Sequence, residues 1–132
     1  MVQPRVVTFL GPRGTFTEAA LEQVPGLETT ERVPVANVAE ALSAVSEGRS
    51  DAAMIAIENS IEGGVTAAQD ALAATPGIRI LSEHVVSVNF SLVAPAGTRI
   101  EDVRVVAAHP VAWAQCSGWL QRELPGRAHL PA

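Results

Sequence analysis

Short apolar runs and amphipathic stretches alternate along the first 57 residues. The apolar runs lie at residues 6–10, 32–35 and 52–57, and turn residues bound each of them. Short continuous apolar runs of this kind are typical of buried parallel strands. Pro34 places the second strand at a sheet edge or a strand end. The resulting β-α-β-α-β pattern predicts an α/β fold with a parallel sheet and crossover helices.

Capping residues mark the start of both intervening helices. Thr15 and Glu18 have the spacing of a capping box, and Asn37 and Glu40 repeat it. We expect Thr15 and Asn37 to be N-caps, and the carboxylate of Glu18 to accept the N–H of Thr15 itself. Gly48 is suited to the left-handed position just beyond the second helix.

The pattern changes in the second half of the chain. A short helix at residues 66–74 precedes an apolar run at 78–81, and residues 86–93 alternate apolar and polar positions with a period of two. This change in strand type places a lobe boundary near residue 83, with lobe 1 at 1–83 and an incomplete lobe 2 at 84–132. The remaining predicted elements are a strand at 103–107, one helix from His109 to Leu124 and the start of a strand at 128–132.

Composition narrows the classes of function. With 132 residues, 48% hydrophobic and 17% charged, the chain can form a packed core as one domain or two small lobes. Its net charge of -5 disfavours nucleic acid as a partner. The same charge does not attract anionic substrates, so an anion would be held by local donors such as helix N-termini and Arg13. Neither the single cysteine nor the dispersed histidines have metal-site spacing, so we expect no metal. Lacking a secretory pattern and a membrane-length apolar stretch, the chain is expected to be cytoplasmic, without a membrane partner.

Polar residues gather where two predicted strands end. Thr15 and Thr17 follow the first strand, and Glu58, Asn59 and Ser60 follow the third. The carboxyl ends of parallel strands share one edge of the sheet, and small ligands bind at that edge in open α/β folds. The sequence therefore predicts a small-molecule site formed by hydroxyl, amide and backbone donors.

Each segment also has a structural interpretation. The two glycines of Gly11-Pro12-Arg13-Gly14 could cradle a nucleotide phosphate, but the third glycine and the ribose-binding acid of dinucleotide sites are missing. Thr15 could serve only as a helix cap, and Asn59 and Ser60 could bond only to their own turn.

His109 follows the strand at 103–107 and precedes a proline that suits the first turn of a helix. It could donate a proton or simply cap that helix. Gln115 lies off the apolar stripe of Trp113, Cys116 and Leu120, so its amide could reach a ligand.

Three blocks together closely resemble the prephenate dehydratase family. They are Leu-Gly-Pro-Arg-Gly-Thr-Phe-Thr-Glu-Ala-Ala at 10–20, Ile-Glu-Asn-Ser-Ile-Glu-Gly-Gly-Val at 57–65 and His-Pro-Val-Ala-Trp-Ala-Gln-Cys at 109–116. The order and spacing of the blocks also match, over essentially the whole chain. The third block usually opens Ser-His-Pro in the family, whereas Ala108 stands at the serine position here.

The resemblance implies a two-lobed α/β fold of the type II periplasmic-binding-protein class, with the second lobe incomplete. It also implies a carbon–oxygen lyase that converts prephenate to phenylpyruvate in L-phenylalanine biosynthesis, without a cofactor. A cleft between the lobes would hold prephenate. Its implied binding residues are Thr15, Thr17, Glu58, Asn59 and Ser60 from one lobe and His109 and Gln115 from the other.

The family's catalytic threonine belongs to a Thr-Arg-Phe motif that would lie beyond Ala132, and a phenylalanine-sensing ACT domain commonly follows it. We therefore expect these 132 residues to be inactive, or nearly so, alone. Two alternatives remain: a relative that decarboxylates prephenate without aromatising it, and a small-molecule-binding or sensory domain on the same fold. Open sheet edges in an incomplete lobe favour a homodimer or a larger assembly.

Overall fold

A three-stranded parallel sheet forms the centre of the first half of the chain in a computed structural model that describes residues 3–132. Strand β1 (Val6–Leu10) lies between β2 (Glu31–Val35) and β3 (Ala52–Met54). The predicted parallel β-α-β-α-β arrangement is therefore confirmed, and Pro34 lies in an edge strand as expected. The third strand is shorter than predicted, because its pairing with β1 ends at Met54.

The two crossover helices begin at the predicted caps. Helix α1 (Phe16–Glu22) has Thr15 as its N-cap, and α2 (Val38–Ser46) has Asn37. Gly48 follows α2 with a φ of 72°, in the left-handed region that glycine occupies without a Cβ clash.

Helices cover both faces of the sheet. On one face Val7 and Phe9 of β1 pack with Leu21 of α1 and with Leu27. On the other face the core cluster consists of Val38 and Leu42 of α2 together with Ala68. Successive strand residues point to opposite faces, so an apolar run that is covered on both sides forms two cores.

Polar side chains also fasten β1 to its neighbours. Thr8 and Ser50 are both buried, and the backbone N–H of Thr8 donates to Ser50 Oγ at 3.1 Å. Ser50 Oγ in turn lies 2.7 Å from the carbonyl of Ala52. Because these buried groups are hydrogen-bonded, they hold the register of β1 and β3 without an unpaired polar atom.

The chain then forms a small hairpin and a third helix. Strands β4 (Glu58–Asn59) and β5 (Gly63–Gly64) are antiparallel, and α3 (Thr66–Ala74) follows them directly. Ala68 of α3 contributes to the core beside α2. The hairpin therefore follows the carboxyl end of β3 and is tied to the sheet by α3.

The chain folds into two compact units, the first ending at Ser87 and the second spanning Val88–Ala132. In the second unit a 3₁₀ turn (Ile100–Asp102) precedes strand β6, and β6 pairs in parallel with β7. A core of Val106, Leu120 and Leu124 joins this pair to two short helices. The bounds of these elements are β6 Val105–Ala108, α4 Pro110–Gln115, α5 Ser117–Glu123 and β7 Ala128–Pro131.

Three elements predicted for the second half are wrong. Residues 78–81 and 86–93 are not strands, since neither run pairs with any part of the chain that the structure describes. The predicted helix from 109 to 124 is two helices that meet at Cys116, where Ser117 and Gly118 are weaker helix formers than their neighbours.

Candidate functional site

The loop between β1 and α1 uses the hydroxyl of Thr15 for its own structure. Thr15 Oγ1 accepts the N–H of Glu18 at 3.4 Å and donates to the carbonyl of Leu10 at 3.2 Å. A hydroxyl carries one hydrogen, so in this arrangement Thr15 has none left for a ligand. Thr15 is therefore a cap that also ties the helix to the end of β1.

Arg13 and Glu18 brace the same loop. The carboxylate of Glu18 accepts the N–H of Gly14 at 2.6 Å and contacts Arg13 Nη1 at 3.2 Å. The predicted capping box placed this bond on Thr15 itself, so the acceptor acts one residue earlier than expected. Arg13 Nη2 also donates to the carbonyl of Arg32 at 2.9 Å. Its guanidinium is thus paired within the fold, and its role as a local anion donor stays a prediction.

Thr17 lies in the first turn of α1, two residues beyond the cap. Its side chain is partly buried, and its hydroxyl has no hydrogen-bond partner within residues 3–132. Of the two threonines predicted for this wall of the site, Thr17 is the one with a free donor.

Asn59 organises the β4–β5 hairpin. Its Oδ1 accepts the N–H groups of Ile61 and Glu62 at 3.1 and 2.8 Å, and its Nδ2 donates to Glu62 Oε2 at 2.9 Å. This is an Asx turn, in which the side chain replaces a backbone acceptor. One hydrogen of the amide remains for a ligand.

Glu58 and Ser60 flank Asn59 and are exposed. Neither side chain has a hydrogen-bond or ion-pair partner in the described part of the chain. Glu62, by contrast, is held by Asn59, a role that sequence reasoning missed. The signal was available, because Asn59 and Glu62 have the same i, i+3 spacing as the two helix caps.

The two segments follow strands that end at the same edge of the sheet. The loop of Thr15 and Thr17 follows β1, and the hairpin of Asn59 and Ser60 follows its parallel neighbour β3. An open hollow of about 400 Å³ lies at this edge, but its lining comes from the ends of β1 and β2 and contains none of the predicted site residues. That lining consists of Gly11, Pro12, Pro34, Val35 and Ala36.

His109 is the N-cap of α4 in the second unit. The N–H of Val111 donates to His109 Nδ1 at 3.2 Å, and Pro110 occupies the first turn as predicted. A ring nitrogen that accepts an N–H carries no proton, so the neutral imidazole must bear its hydrogen on Nε2. His109 therefore combines a capping role with an exposed N–H donor.

Gln115 ends α4, where it is partly buried. Its amide has no hydrogen-bond partner within the described residues. The amide is free to donate and accept, and its contact with a ligand stays a prediction.

The described residues contain no group of three or more His, Cys, Asp or Glu side chains that could hold a metal ion. Nor does any helix between residues 3 and 132 have the length and apolar character to cross a membrane.

The chain is similar to proteins of one family. A family model described as prephenate dehydratase matches residues 7–132. The prephenate dehydratase of Mycobacterium tuberculosis (strain ATCC 25618 / H37Rv) is 42% identical over 134 residues, which cover 96% of this chain and 42% of the relative. That of Corynebacterium glutamicum is 37% identical and covers 98% of this chain and 42% of its own length.

Two solved structures are also similar. A crystal structure of prephenate dehydratase from Arthrobacter aurescens, in complex with L-Phe, matches with a TM-score of 0.80 and 49% identity, over 96% of this chain and 42% of that one. GqqA, described as a novel type of quorum quenching acylase, matches with a TM-score of 0.68 and 31% identity, over 97% and 45%. The chain thus spans less than half the length of these relatives.

Proposed function

This chain belongs to the prephenate dehydratase family, and on that premise we propose that it forms part of an enzyme that converts prephenate to phenylpyruvate for L-phenylalanine biosynthesis. One observation carries the proposal: the family match extends over residues 7–132, with curated relatives up to 42% identical across 96% of the chain. The chain has the α/β fold expected for this family, with parallel sheets and helices. Such an enzyme is a carbon–oxygen lyase.

The reaction requires little from the protein beyond binding and one proton. Prephenate carries two carboxylates and a ring hydroxyl. The bond from the ring to one carboxylate breaks and releases carbon dioxide, while its electron pair completes the aromatic ring. The ring hydroxyl takes up a proton and leaves as water. Holding both carboxylates and protonating the leaving hydroxyl are therefore the two tasks of the site.

The free donors of the first unit suit the binding task. The hydroxyls of Thr17 and Ser60 and the remaining amide hydrogen of Asn59 can each donate to a carboxylate without introducing a buried counter-charge. Thr15 supports them by fixing the start of α1. Glu58, exposed beside Asn59, is proposed as a further residue at this wall of the site.

In the second unit we propose His109 and Gln115 as further prephenate-binding residues. His109 offers the Nε2–H that its capping bond imposes, and Gln115 offers a free amide. A neutral N–H donor can bind a carboxylate or stabilise a departing hydroxyl.

We further propose that the protein acts in the cytoplasm, where an enzyme of amino-acid biosynthesis would meet its substrate, and that it assembles as a homodimer or larger oligomer. The exposed apolar segment at residues 78–93 supports self-association, since it includes Ile80, Leu81, Val85 and Val93, each at least 73% exposed.

An assay of product stoichiometry tests the activity. The protein encoded by the longest reading frame that contains these residues is incubated with prephenate at neutral pH, and phenylpyruvate and carbon dioxide are quantified. We expect both products in equal amounts, at a rate well above that of the buffer control.

Other outcomes would overturn the proposal. Carbon dioxide without phenylpyruvate would identify a prephenate decarboxylase. Unchanged prephenate combined with tight amino-acid binding in calorimetry would identify a sensory domain. Unchanged prephenate combined with cleavage of an acylated amine would identify an acylase, the activity in the name of GqqA.

A further inference from the structure

The second unit contains a small hollow that none of the proposed prephenate-binding residues lines. Its volume is about 120 Å³, and it lies between α4, α5 and the turn that leads into β7. An engineered cavity of about 150 Å³ holds one benzene molecule, so this hollow is suited to a ligand of only a few heavy atoms. Its lining residues are Trp113, Ser117, Leu120, Gln121, Leu124, Gly126 and Arg127.

Arg127 lines this hollow and has an unused donor. Its Nε is buried and has no hydrogen-bond partner, and its guanidinium forms no ion pair within residues 3–132. Burying an N–H donor without a partner is unfavourable, and such atoms are rare in folded proteins. No aspartate or glutamate lines the hollow, so its walls leave the charge of Arg127 uncompensated.

Two neutral donors also line the hollow. Ser117 and Gln121 are one helical turn apart on α5, and neither side chain has a partner in the described structure. A guanidinium presents its N–H groups in a planar fork that matches a carboxylate. A hydroxyl and an amide beside it can satisfy the remaining lone pairs of the anion.

The rest of the wall is apolar. Leu120 and Leu124 belong to the core of the unit, and Trp113, which also lines the hollow, packs against that core. Trp113 is held in place by His129, whose ring stacks on it with a centroid distance of 4.3 Å and an interplanar angle of 9°. His129 is itself fixed, because its Nε2 donates to the carbonyl of Ala108 at 2.9 Å.

From this arrangement we propose that the hollow binds a small monocarboxylate with a short apolar tail. Arg127 pairs with the carboxylate, Ser117 and Gln121 complete its hydrogen bonds, and the tail contacts Trp113 and the two leucines. This proposal does not depend on the proposed function, because a protein that fails to convert prephenate would still contain this site.

Titration with butyrate, followed by the NMR signal of the Trp113 indole N–H, tests this site. Butyramide has the same tail without the charge, and inorganic phosphate has charge without a tail. We expect butyrate to shift the signal until it saturates. Butyramide and phosphate should each bind at least about tenfold more weakly than butyrate, a difference of about 1.4 kcal/mol or more. Arg127→Gln should weaken butyrate binding by at least about tenfold.

Arg122→Gln is the matched control, because Arg122 lies on α5 but donates to the carbonyl of Gly118 and does not line the hollow. It should bind butyrate like the unaltered chain. A linear shift without saturation, equal binding of butyramide or phosphate, or full affinity in Arg127→Gln would each overturn the proposal. If Arg127→Gln does not fold, Arg127→Lys is used instead. Its butyrate binding should be weaker than that of the unaltered chain but measurable, because lysine keeps the charge without the planar fork of a guanidinium.

Discussion

Asp51 links the start of β1 to the start of β3 through a single carboxylate. Its Oδ2 accepts the N–H of Arg5 at 2.7 Å and that of Val6 at 3.0 Å. Both hydrogen bonds favour the ionised form and hold the pKa of Asp51 below its ordinary value, the bond from Val6 contributing more than the bond from Arg5. The side chain therefore makes its full contribution only when it is charged.

This lowered pKa predicts a pH dependence of stability. A carboxyl group whose pKa is lower in the folded than in the unfolded chain stabilises the fold above its unfolded pKa of about 3.9, and this contribution is lost as the pH falls through the folded value. Asp51→Asn should therefore have a lower urea midpoint than the unaltered chain at pH 7, with the difference shrinking in acid. Asp70→Asn, an exposed change on α3, is the control and should have little effect at any pH. A difference that persists unchanged below pH 3 would contradict this role for Asp51.

Among the elements, the two crossover helices share one capping arrangement. Asn37 Oδ1 accepts the N–H of Glu40 at 2.9 Å, while Glu40 accepts the N–H of Ala36 at 3.0 Å. Glu18 of α1 likewise accepts the N–H of the residue before its cap. Each helix therefore has its start fixed by two reciprocal bonds that satisfy otherwise unpaired donors.

Removal of one cap should cost a measurable part of the stability. Asn37→Ala is expected to lower the free energy of unfolding by about 1 kcal/mol, because the N–H of Glu40 loses its partner. Asn37→Ser keeps an oxygen at the cap and should lose much less. Equal losses in the two variants, measured by urea unfolding, would show that the cap bond is not the source of the effect.

The sequence predicted these helices and the first sheet because the determining signals are local. A cap, a periodic apolar stripe and a terminal glycine all lie within a few residues of the element that they define. The alternation at residues 86–93 is local too, but a strand also needs a neighbouring strand, and alternation alone does not supply one. The site residues stay a prediction, and the division between bonded Thr15 and free Thr17 depends on contacts that no spacing encodes.

For the molecule as a whole, the exposed apolar segment at residues 78–93 is the feature that bears on assembly. Leu81 is 73% exposed and Val85 is 87% exposed, which is unfavourable for a monomer in water. Burial of these side chains against a second copy would remove this apolar surface from solvent. The free edges of the β2-β1-β3 sheet offer backbone donors for the same purpose.

Sedimentation at several concentrations tests this assembly. The unaltered chain should associate as a dimer or larger species, and the double variant Leu81→Lys/Val85→Lys should shift strongly toward monomer. Ile61→Lys is the control, because Ile61 is 61% exposed but lies in the β4–β5 hairpin, outside the segment. An unaltered chain that stays monomeric at every concentration would be evidence against self-association.

The central claim is that hydroxyls left free by the fold bind the carboxylates of prephenate. The most direct test is to measure kcat/KM for prephenate in a Thr17→Val variant of the protein that carries this chain. A lost hydrogen bond to a charged group costs about 1.5–3 kcal/mol, so we predict a decrease of about tenfold to a hundredfold with unchanged thermal stability. Thr15→Val should instead destabilise the fold by about 1 kcal/mol through loss of its cap. A Thr17→Val protein with the kcat/KM of the unaltered enzyme would contradict the account.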